Sequence, residues 1–345
     1  STGGASVIRE LTSTDAGIGG ADTIDVGEGS NIILGGFGKD GITGGAGSDI
    51  GTGDNGRGVF NAAGGLTSLS TINPEIGDTD TITVGAGNNV FFGGNGGDTI
   101  TTLGGRDVLV GDNGNASFDN SGVLLNIQTS DAASGGSDTI EAGDGNNIAL
   151  GGSAGDTITT LGGNDLVVGD NGKVTFDSTG GASVIRDVIS TDTSIGGADT
   201  ILAGEGNNII IGGAAGDTIT AGGQNDIVMG DSGHGVFNAA GVLTFITTVS
   251  PDIGGIDTIN TGDGLNIVLG GIGGDTINGG SGRDIVLGDN GNATFDNTGV
   301  LTLVQTSDAV TPGSYDDIIN GFGGDNVILG ANGSDQITTL AGNDL

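Results

Sequence analysis

The chain has no cysteine and no tryptophan, and its 345 residues include only three prolines and one histidine. Without cysteine there are no disulfide bonds and no thiolate nucleophiles. Aromatic residues make up only 3% of the chain, so a core built around large aromatic side chains is excluded. The scarcity of proline, together with the lack of a three-residue glycine period, excludes a collagen triple helix.

Basic residues are also scarce, since seven lysines and arginines stand against 43 acidic residues, for a formal net charge of −36. Nucleic-acid binding needs a basic surface, so DNA and RNA are excluded as partners. An anionic membrane surface is excluded on the same ground. No apolar run reaches the roughly 18 residues of a membrane-spanning helix, so no membrane insertion is expected.

The chain is rich in glycine, with 79 residues, and in internal repeats. The segment STGGASVIR occurs at 1–9 and again, letter for letter, at 178–186, which defines a long repeat. A shorter unit, three of which make up the long repeat, is marked by GDNG at 53–56, 111–114, 169–172 and 288–291, and by GDSG at 230–233. The markers are evenly spaced, except that the interval between the third and the fourth is slightly longer. We therefore expect one continuous repeat domain over 1–345, with six units of which the last is partial.

Each unit has a nine-residue period. Four successive turns end in Asp, Asn, Asp and Asp, which in the first unit are Asp22, Asn31, Asp40 and Asp49. A fifth turn follows with Phe in its apolar position, and a sixth with Leu, Ile or Val there, such as Ile185. We expect the phenylalanines to fill the core. We attribute the unequal unit lengths to a short insert after the sixth turn.

This period predicts an all-β fold, a parallel β-roll or β-solenoid. In a turn such as GGFGKDGIT at 35–43, the glycine-rich part reverses the chain, because glycine adopts positive φ freely. Three residues then form a short strand with only the middle side chain inward. Two nonapeptides would close one coil of about 18 residues, and about 19 coils spaced at about 4.8 Å would give a rod of roughly 90 Å. A globular antiparallel fold is the alternative, but it does not require a nine-residue register.

The turns GGFGKD at 35–40 and GGNGGD at 93–98 resemble the nonapeptide of the repeats-in-toxin (RTX) calcium-binding family. The resemblance extends over essentially the whole chain. It implies multiple Ca²⁺ ions held between stacked glycine-rich loops, and an extracellular or cell-surface location. Chemistry agrees, because Ca²⁺ takes six to eight oxygen ligands and stacked carboxylates without a cation repel one another. We therefore expect folding to depend on calcium.

The predicted metal ligands are the aspartates that end the first, third and fourth turns of every unit. They are Asp22, Asp40, Asp49, Asp80, Asp98, Asp107, Asp138, Asp156, Asp165, Asp199, Asp217, Asp226, Asp257, Asp275, Asp284, Asp317, Asp335 and Asp344. For the second-turn asparagines we prefer a metal-free hydrogen-bonded ladder to weak metal ligation. For the aspartate of each GDNG marker, such as Asp54, both a metal ligand and a side-chain bond to the turn backbone stay open.

No enzyme activity is predicted. The one histidine, His234, stands where other units carry Arg, Asn or Lys, which indicates a solvated turn. Carboxylate pairs recur in every unit, whereas an active site is normally singular. We expect a structural rod of an extracellular fibre, surface layer or adhesin stalk that self-associates. The alternatives are a calcium-triggered folding and secretion module of a toxin or enzyme, and a ligand-binding or ice-binding solenoid. The threonine row that ice binding requires skips units in the sequence, as at Thr276 and Asn278.

Overall fold

The structure is a computed structural model that describes residues 7–178, 181–307 and 315–345. The repeated segments at 1–9 and 178–186 therefore lie partly outside the described residues. Over the described ranges the chain forms 34 β-strands, numbered in chain order, in three sheets. Within the same ranges no helix is long and apolar enough to span a bilayer.

Two of the sheets are parallel and form the walls of a solenoid, as predicted. The outer sheet has 12 strands: β2 (Thr23–Gly27), β4 (Gly41–Gly44), β8 (Thr81–Ala86), β10 (Thr99–Gly104), β14 (Thr139–Ala142), β16 (Thr157–Thr160), β20 (Thr200–Leu202), β22 (Thr218–Thr220), β26 (Thr258–Gly262), β28 (Thr276–Gly279), β32 (Ile318–Gly323) and β34 (Gln336–Ala341). The central sheet has 11 strands: β3 (Ile32–Leu34), β5 (Ile50–Thr52), β9 (Val90–Phe92), β11 (Val108–Val110), β15 (Ile148–Gly152), β17 (Leu166–Asp170), β21 (Ile209–Gly213), β23 (Ile227–Asp231), β27 (Ile267–Gly271), β29 (Ile285–Asp289) and β33 (Val327–Leu329).

The third sheet, called here the hairpin sheet, is antiparallel. Its 11 strands are β1 (Glu10–Thr12), β6 (Gly56–Phe60), β7 (Leu66–Thr71), β12 (Gly114–Phe118), β13 (Leu124–Thr129), β18 (Gly172–Asp177), β19 (Val184–Ser190), β24 (Gly233–Phe237), β25 (Leu243–Thr248), β30 (Gly291–Phe295) and β31 (Leu301–Thr306). The fifth and sixth turns of each unit form one hairpin, and each hairpin pairs with the hairpin of the next unit, as β7 does with β12.

The hairpins correct the prediction that all six turns of a unit belong to the solenoid. Each unit contributes two coils, so the sequence separation between stacked residues is alternately short and long, as Ile82, Ile100 and Ile140 illustrate. The outer sheet is consequently about 50 Å long, at about 4.8 Å per strand, rather than roughly 90 Å. The fifth and sixth turns leave the coil because their strands are longer than the three-residue strands predicted for a coil. The strand β12, for example, alternates buried and half-buried residues over five positions, and two such strands can pair with each other across a tight turn.

The sequence signal for the hairpin lies in its turn. Asp119 Oδ1 accepts hydrogen bonds from the backbone N–H groups of Ser121 and Val123, and Gly122 has φ +83°. An aspartate that binds the backbone two residues on, followed by a glycine with positive φ, is a turn signature. Every complete unit carries such a segment, for example DNSG, NAAG or DNTG.

Hairpin length also explains the longer interval between the third and fourth markers. Phe118 pairs with Leu124, six residues on, whereas Phe176 pairs with Ile185, nine residues on. The additional residues of this unit lie in its hairpin and not in the insert after the sixth turn. As a result Val188, rather than the predicted Ile185, is the buried apolar residue of this hairpin's second strand.

Two thin cores lie on either side of the central sheet. Between the outer and central sheets, Ile100 and Ile140 pack with Phe91 and Leu109. Between the central and hairpin sheets, the other face of the central strands packs against hairpin side chains such as Ile127. Four of the five fifth-turn phenylalanines, Phe118, Phe176, Phe237 and Phe295, lie here and are 7–8% exposed, so their predicted core role is confirmed. Phe60 of the first unit is only half-buried. Because the central strands are buried on both faces, aliphatic side chains suffice and few aromatics are needed.

The solvent side of the outer sheet carries a row of threonines. One threonine precedes the inward isoleucine in eight consecutive strands, and the residues stand side by side in register. This threonine face consists of Thr81, Thr99, Thr139, Thr157, Thr200, Thr218, Thr258 and Thr276. The expectation that the row skips units holds at the two ends of the sheet, where Gly41, Ile318 and Gln336 stand at this position, and is wrong for the eight strands between them. The parallel row two residues on is interrupted by Glu141, Leu202, Asn260 and Asn278.

Candidate metal centres

Each coil has two glycine-rich bends, which stack into two polar columns. The first column, called the aspartate edge, joins the first and third turns of all units and precedes the outer strands. It contains Asp22, Asp40, Asp80, Asp98, Asp138, Asp156, Asp199, Asp217, Asp257, Asp275, Asp317 and Asp335. The second column, called the mixed edge, joins the second and fourth turns and precedes the central strands. It contains Asn31, Asp49, Asn89, Asp107, Asn147, Asp165, Asn208, Asp226, Asn266, Asp284, Asn326 and Asp344.

On the aspartate edge, one oxygen of each carboxylate holds the column together. The backbone N–H of Asp80 donates to Asp98 Oδ1 at 2.6 Å, and the N–H of Asp98 donates to Asp138 Oδ1 at 2.6 Å. The same bond repeats from coil to coil along the edge. The carboxylates are consequently fixed in position and turned away from solvent, with Asp80 0% and Asp98 1% exposed.

The second oxygen of these carboxylates has no hydrogen-bond donor. Buried Oδ2 atoms without a partner belong to Asp40, Asp80, Asp98, Asp138, Asp156, Asp199, Asp217, Asp257 and Asp275. They lie against loop glycines, since a Cβ placed on Gly53 would be 2.3 Å from Asp80 Oδ2 and 2.6 Å from the carbonyl oxygen of Gly93. Only glycine leaves that space to the oxygens. A buried carboxylate oxygen without a donor is costly, and its position beside a carbonyl oxygen suits a hard cation.

Burial gives the aspartate edge unusual electrostatics. Desolvation raises the pKa of Asp98 to about 7 and that of Asp80 to about 8. Desolvation, with the charges of Asp199 and Asp257, raises the pKa of Asp217 to about 10. Two carboxylates one coil apart, at about 5 Å, repel by about 3 kcal/mol at an effective dielectric constant near 20. At neutral pH this column therefore requires either protons or a positively charged ligand.

The mixed edge has the same backbone geometry but a different chemistry. The N–H of Asn89 donates to Asp107 Oδ1 at 2.8 Å, and its Nδ2 donates to the same oxygen at 2.9 Å. Nδ2 of Asn89 also donates to the carbonyl oxygens of Gly85 and Gly87. Asparagine thus alternates with aspartate instead of forming a column of its own, and every second member of this edge is a hydrogen-bond donor.

The marker aspartates are site residues that sequence reasoning left undecided. Oδ1 of Asp112 accepts the N–H of Gly136 at 2.8 Å, and its Oδ2 accepts the N–H of Ser153 at 2.5 Å and the Ser153 hydroxyl at 2.7 Å. The bonds therefore reach the first-turn and third-turn loops of the next unit and not the residue's own turn. Burial, with the nearby charges of Asp112 and Asp156, raises the pKa of Asp138 to about 11. The sequence signal that could have identified this aspartate as a site residue is its recurrence in all five marker turns.

The donor set fits calcium if backbone carbonyls take part. Over residues 7–178, 181–307 and 315–345, no three acidic or histidine side chains converge on one point. Carboxylates alone therefore do not form a ligand shell, and loop carbonyl oxygens such as that of Gly93 would supply the remainder. Oxygen ligands without nitrogen or sulfur are typical of Ca²⁺ rather than of transition metals.

His234 lies away from both edges. It stands on the hairpin sheet, where its Nε2 is 2.9 Å from Asp187 Oδ2, and its side chain is 27% exposed. The pair lies on a strand rather than in a turn, which corrects the turn position predicted for His234.

Comparison with known protein families agrees with this geometry. The model of the RTX calcium-binding nonapeptide repeat, which spans four copies, matches residues 17–51, 77–109, 132–167, 141–176, 195–228, 202–237, 260–295 and 311–345. The stretches between these matches contain the second strand of each hairpin, for example β13 and β25. A search of curated proteins gave no match. Most of the chain, including the turns of both edges, is thus accounted for by a calcium-binding motif, and the chain belongs to the RTX calcium-binding nonapeptide repeat family.

Proposed function

We propose that this chain is a calcium-dependent structural rod of an extracellular fibre, a surface layer or an adhesin stalk, and that it has no catalytic role. The observation that carries the proposal is the repetition of one set of contacts in every unit. The aspartate edge presents the same carboxylate arrangement from Asp40 to Asp275 without a singular position, whereas an enzyme normally has one active site.

The surface crevices repeat in the same way. A crevice of about 400 Å³ lies beside Arg283 and Phe295, and one of about 350 Å³ lies beside Arg106 and Phe118. The two crevices are related by the long repeat, because Arg283 and Phe295 occupy the positions in its second copy that Arg106 and Phe118 occupy in its first. A cleft that recurs one long repeat further along suits lateral contacts along a rod better than the recognition of one small substrate.

The hairpin sheet supports a mechanical role. The two strands of each hairpin pair with each other, and they also pair with strands of the neighbouring hairpins, as β12 does with β7 and β13 with β18. Bending the rod would therefore disturb a hydrogen-bonded sheet and two cores together, and packed interiors resist such deformation. Calcium between the loops of the aspartate edge would add a third line of cross-links along the long axis. We place the protein outside the cell, where calcium is abundant, and propose that it self-associates.

The test is a calcium titration of the chelated chain, followed by far-UV circular dichroism, light scattering and negative-stain electron microscopy. We expect β-structure to form cooperatively, together with scattering from filaments or layers. A β-spectrum that is complete in chelator would refute calcium dependence. A chain that folds with calcium but remains monodisperse at high concentration would refute the assembling rod and favour the alternative, a calcium-triggered folding and secretion module.

The threonine face favours one further candidate, an ice-binding solenoid. Regularly spaced hydroxyl and methyl groups on a parallel sheet can order a layer of water, and the row runs unbroken from Thr81 to Thr276. The discriminating measurement is thermal hysteresis of the calcium-loaded chain. Activity that disappears in Thr157→Lys, while folding is retained, would support this candidate, and its absence in the wild type would dismiss it.

A further inference from the structure

The two edges of the solenoid carry equally buried aspartates but differ in what surrounds them. Asp156 of the aspartate edge and Asp165 of the mixed edge bend the same coil, and each is 2% exposed. Each Oδ1 accepts one backbone N–H at 2.7 Å, and each Oδ2 is buried without a hydrogen-bond partner. Burial and backbone geometry therefore do not distinguish the two positions.

The members of the aspartate edge are carboxylates in every coil, and ionised carboxylates can only accept hydrogen bonds. A cation placed between two coils would meet oxygen on both sides. The marker aspartate adds a further carboxylate on this side only, since Asp112 bonds to the loops of Gly136 and Ser153. Oxygen density and negative charge thus accumulate along this edge.

On the mixed edge, an amide stands where an oxygen ligand would be needed. Nδ2 of Asn147 donates to the carbonyl oxygens of Gly143 at 2.9 Å and Gly145 at 3.1 Å. Asn208 makes the corresponding contacts to Gly204 and Gly206. The loop carbonyls that would complete a calcium shell are therefore engaged by a donor whose N–H groups repel a cation.

We propose that calcium loads this solenoid along the aspartate edge only, and that the mixed edge is held by its own amide hydrogen bonds without metal. This inference rests on the calcium-dependent role proposed above. It revises the predicted ligand set, because the fourth-turn aspartates Asp49, Asp107, Asp165, Asp226, Asp284 and Asp344 are then not ligands. The rod would have one calcium-stiffened edge and one edge that is insensitive to chelation.

The test compares Asp156→Asn with Asp165→Asn in the full chain. Bound calcium is counted by equilibrium dialysis with elemental analysis, and the calcium midpoint of folding is followed by circular dichroism. We expect Asp156→Asn to bind fewer ions than the wild type and to fold at higher calcium concentration, while Asp165→Asn matches the wild type in both. Asn147→Asp, which frees two loop carbonyls and adds a carboxylate, should increase the ion count.

Equal loss of ions in Asp156→Asn and Asp165→Asn would overturn one-sided loading while leaving the calcium-dependent rod intact. A wild-type chain that binds no calcium would instead overturn the proposed function itself. If Asp156→Asn does not fold at any calcium concentration, the corresponding pair Asp217→Asn and Asp226→Asn in the next unit gives the same comparison, because these residues are 1% and 0% exposed.

Discussion

Protons should replace calcium on the aspartate edge, so the metal-free chain should fold on acidification. Burial raises the pKa of Asp98 to about 7 and of Asp80 and Asp275 to about 8 in the folded chain, whereas an unfolded aspartate titrates near 3.8. A group with a raised folded pKa favours the folded state below its unfolded pKa. That contribution is lost as the pH rises toward the folded value.

The size of the effect follows from these values. Each pKa unit corresponds to about 1.4 kcal/mol, so the raised pKa of one such carboxylate destabilises the folded state relative to the unfolded state by about 4 kcal/mol at pH 7 and by about 2 kcal/mol at pH 5. A domain has a net stability of only about 5–15 kcal/mol. A few of these aspartates are therefore enough to unfold the calcium-free chain at pH 7, even with generous allowance for relaxation and solvent screening.

The assay is far-UV circular dichroism in chelator between pH 3.5 and pH 8, with a matched series in millimolar calcium. We expect the chelated chain to be disordered at pH 7.5 and to gain β-structure toward pH 3.5, below the unfolded value of 3.8. The calcium series should be folded throughout. A complete β-signal in chelator at pH 7.5, unchanged at pH 3.5, would show that the buried carboxylates do not oppose folding, and the electrostatic reasoning would be refuted.

Three substitutions test other parts of the structure. Gly93→Ala should raise the calcium midpoint of folding strongly, because the new Cβ would lie 2.0 Å from the carbonyl oxygen of Gly111, whereas Gly20→Ala, with no atom within 4 Å, should leave it unchanged in the same titration. Asp112→Asn should destabilise the calcium-bound chain by about 1–3 kcal/mol in urea unfolding, because buried loop N–H groups lose an acceptor. The control is Asp119→Asn on the hairpin turn. If Asp112→Asn has no larger effect than this control, Asp112 does not stabilise the loops of the next unit. Ile127→Ala should cost about 2–5 kcal/mol, and a negligible change in the urea midpoint would show that the hairpin does not pack on the solenoid.

Much of the site was predictable because the nine-residue period of the sequence corresponds to half of one coil. A turn that must return the chain every nine residues places Asp22 and Asp40 on one edge, because they are two turns apart, and the resemblance to the RTX motif supplied the metal. It was harder to predict from the sequence which polar residues lie next to each other in one column. Asn89 and Asp107 stand in one column because two turns close a coil, and that assignment needs the coil and not the turn as the unit.

The hairpin escaped prediction because its length matches the nine-residue period. The fifth and sixth turns together span two nonapeptides, so their spacing is indistinguishable from another coil, and only the alternation from Gly114 to Phe118 and the turn at Asp119 mark the difference. Asp112 accepts a hydrogen bond from a loop of the next unit because the hairpin brings that loop next to it. No spacing argument could reveal it, because its partner Gly136 lies on the far side of the hairpin in sequence.

The amino-acid sequence was enough to predict the all-β repeat, the parallel solenoid, the calcium-binding family and the aspartates at the bends, because each of these depends on local turn chemistry repeated at a constant interval. Three features became known from the three-dimensional structure alone. Two of the six turns leave the coil, the central sheet is buried on both faces, and one edge carries only carboxylates while the other alternates carboxylates with amides. These features depend on which coils become neighbours, and that is set by packing and hydrogen bonding between segments that are distant in sequence, as in the column of Asp80, Asp98 and Asp138.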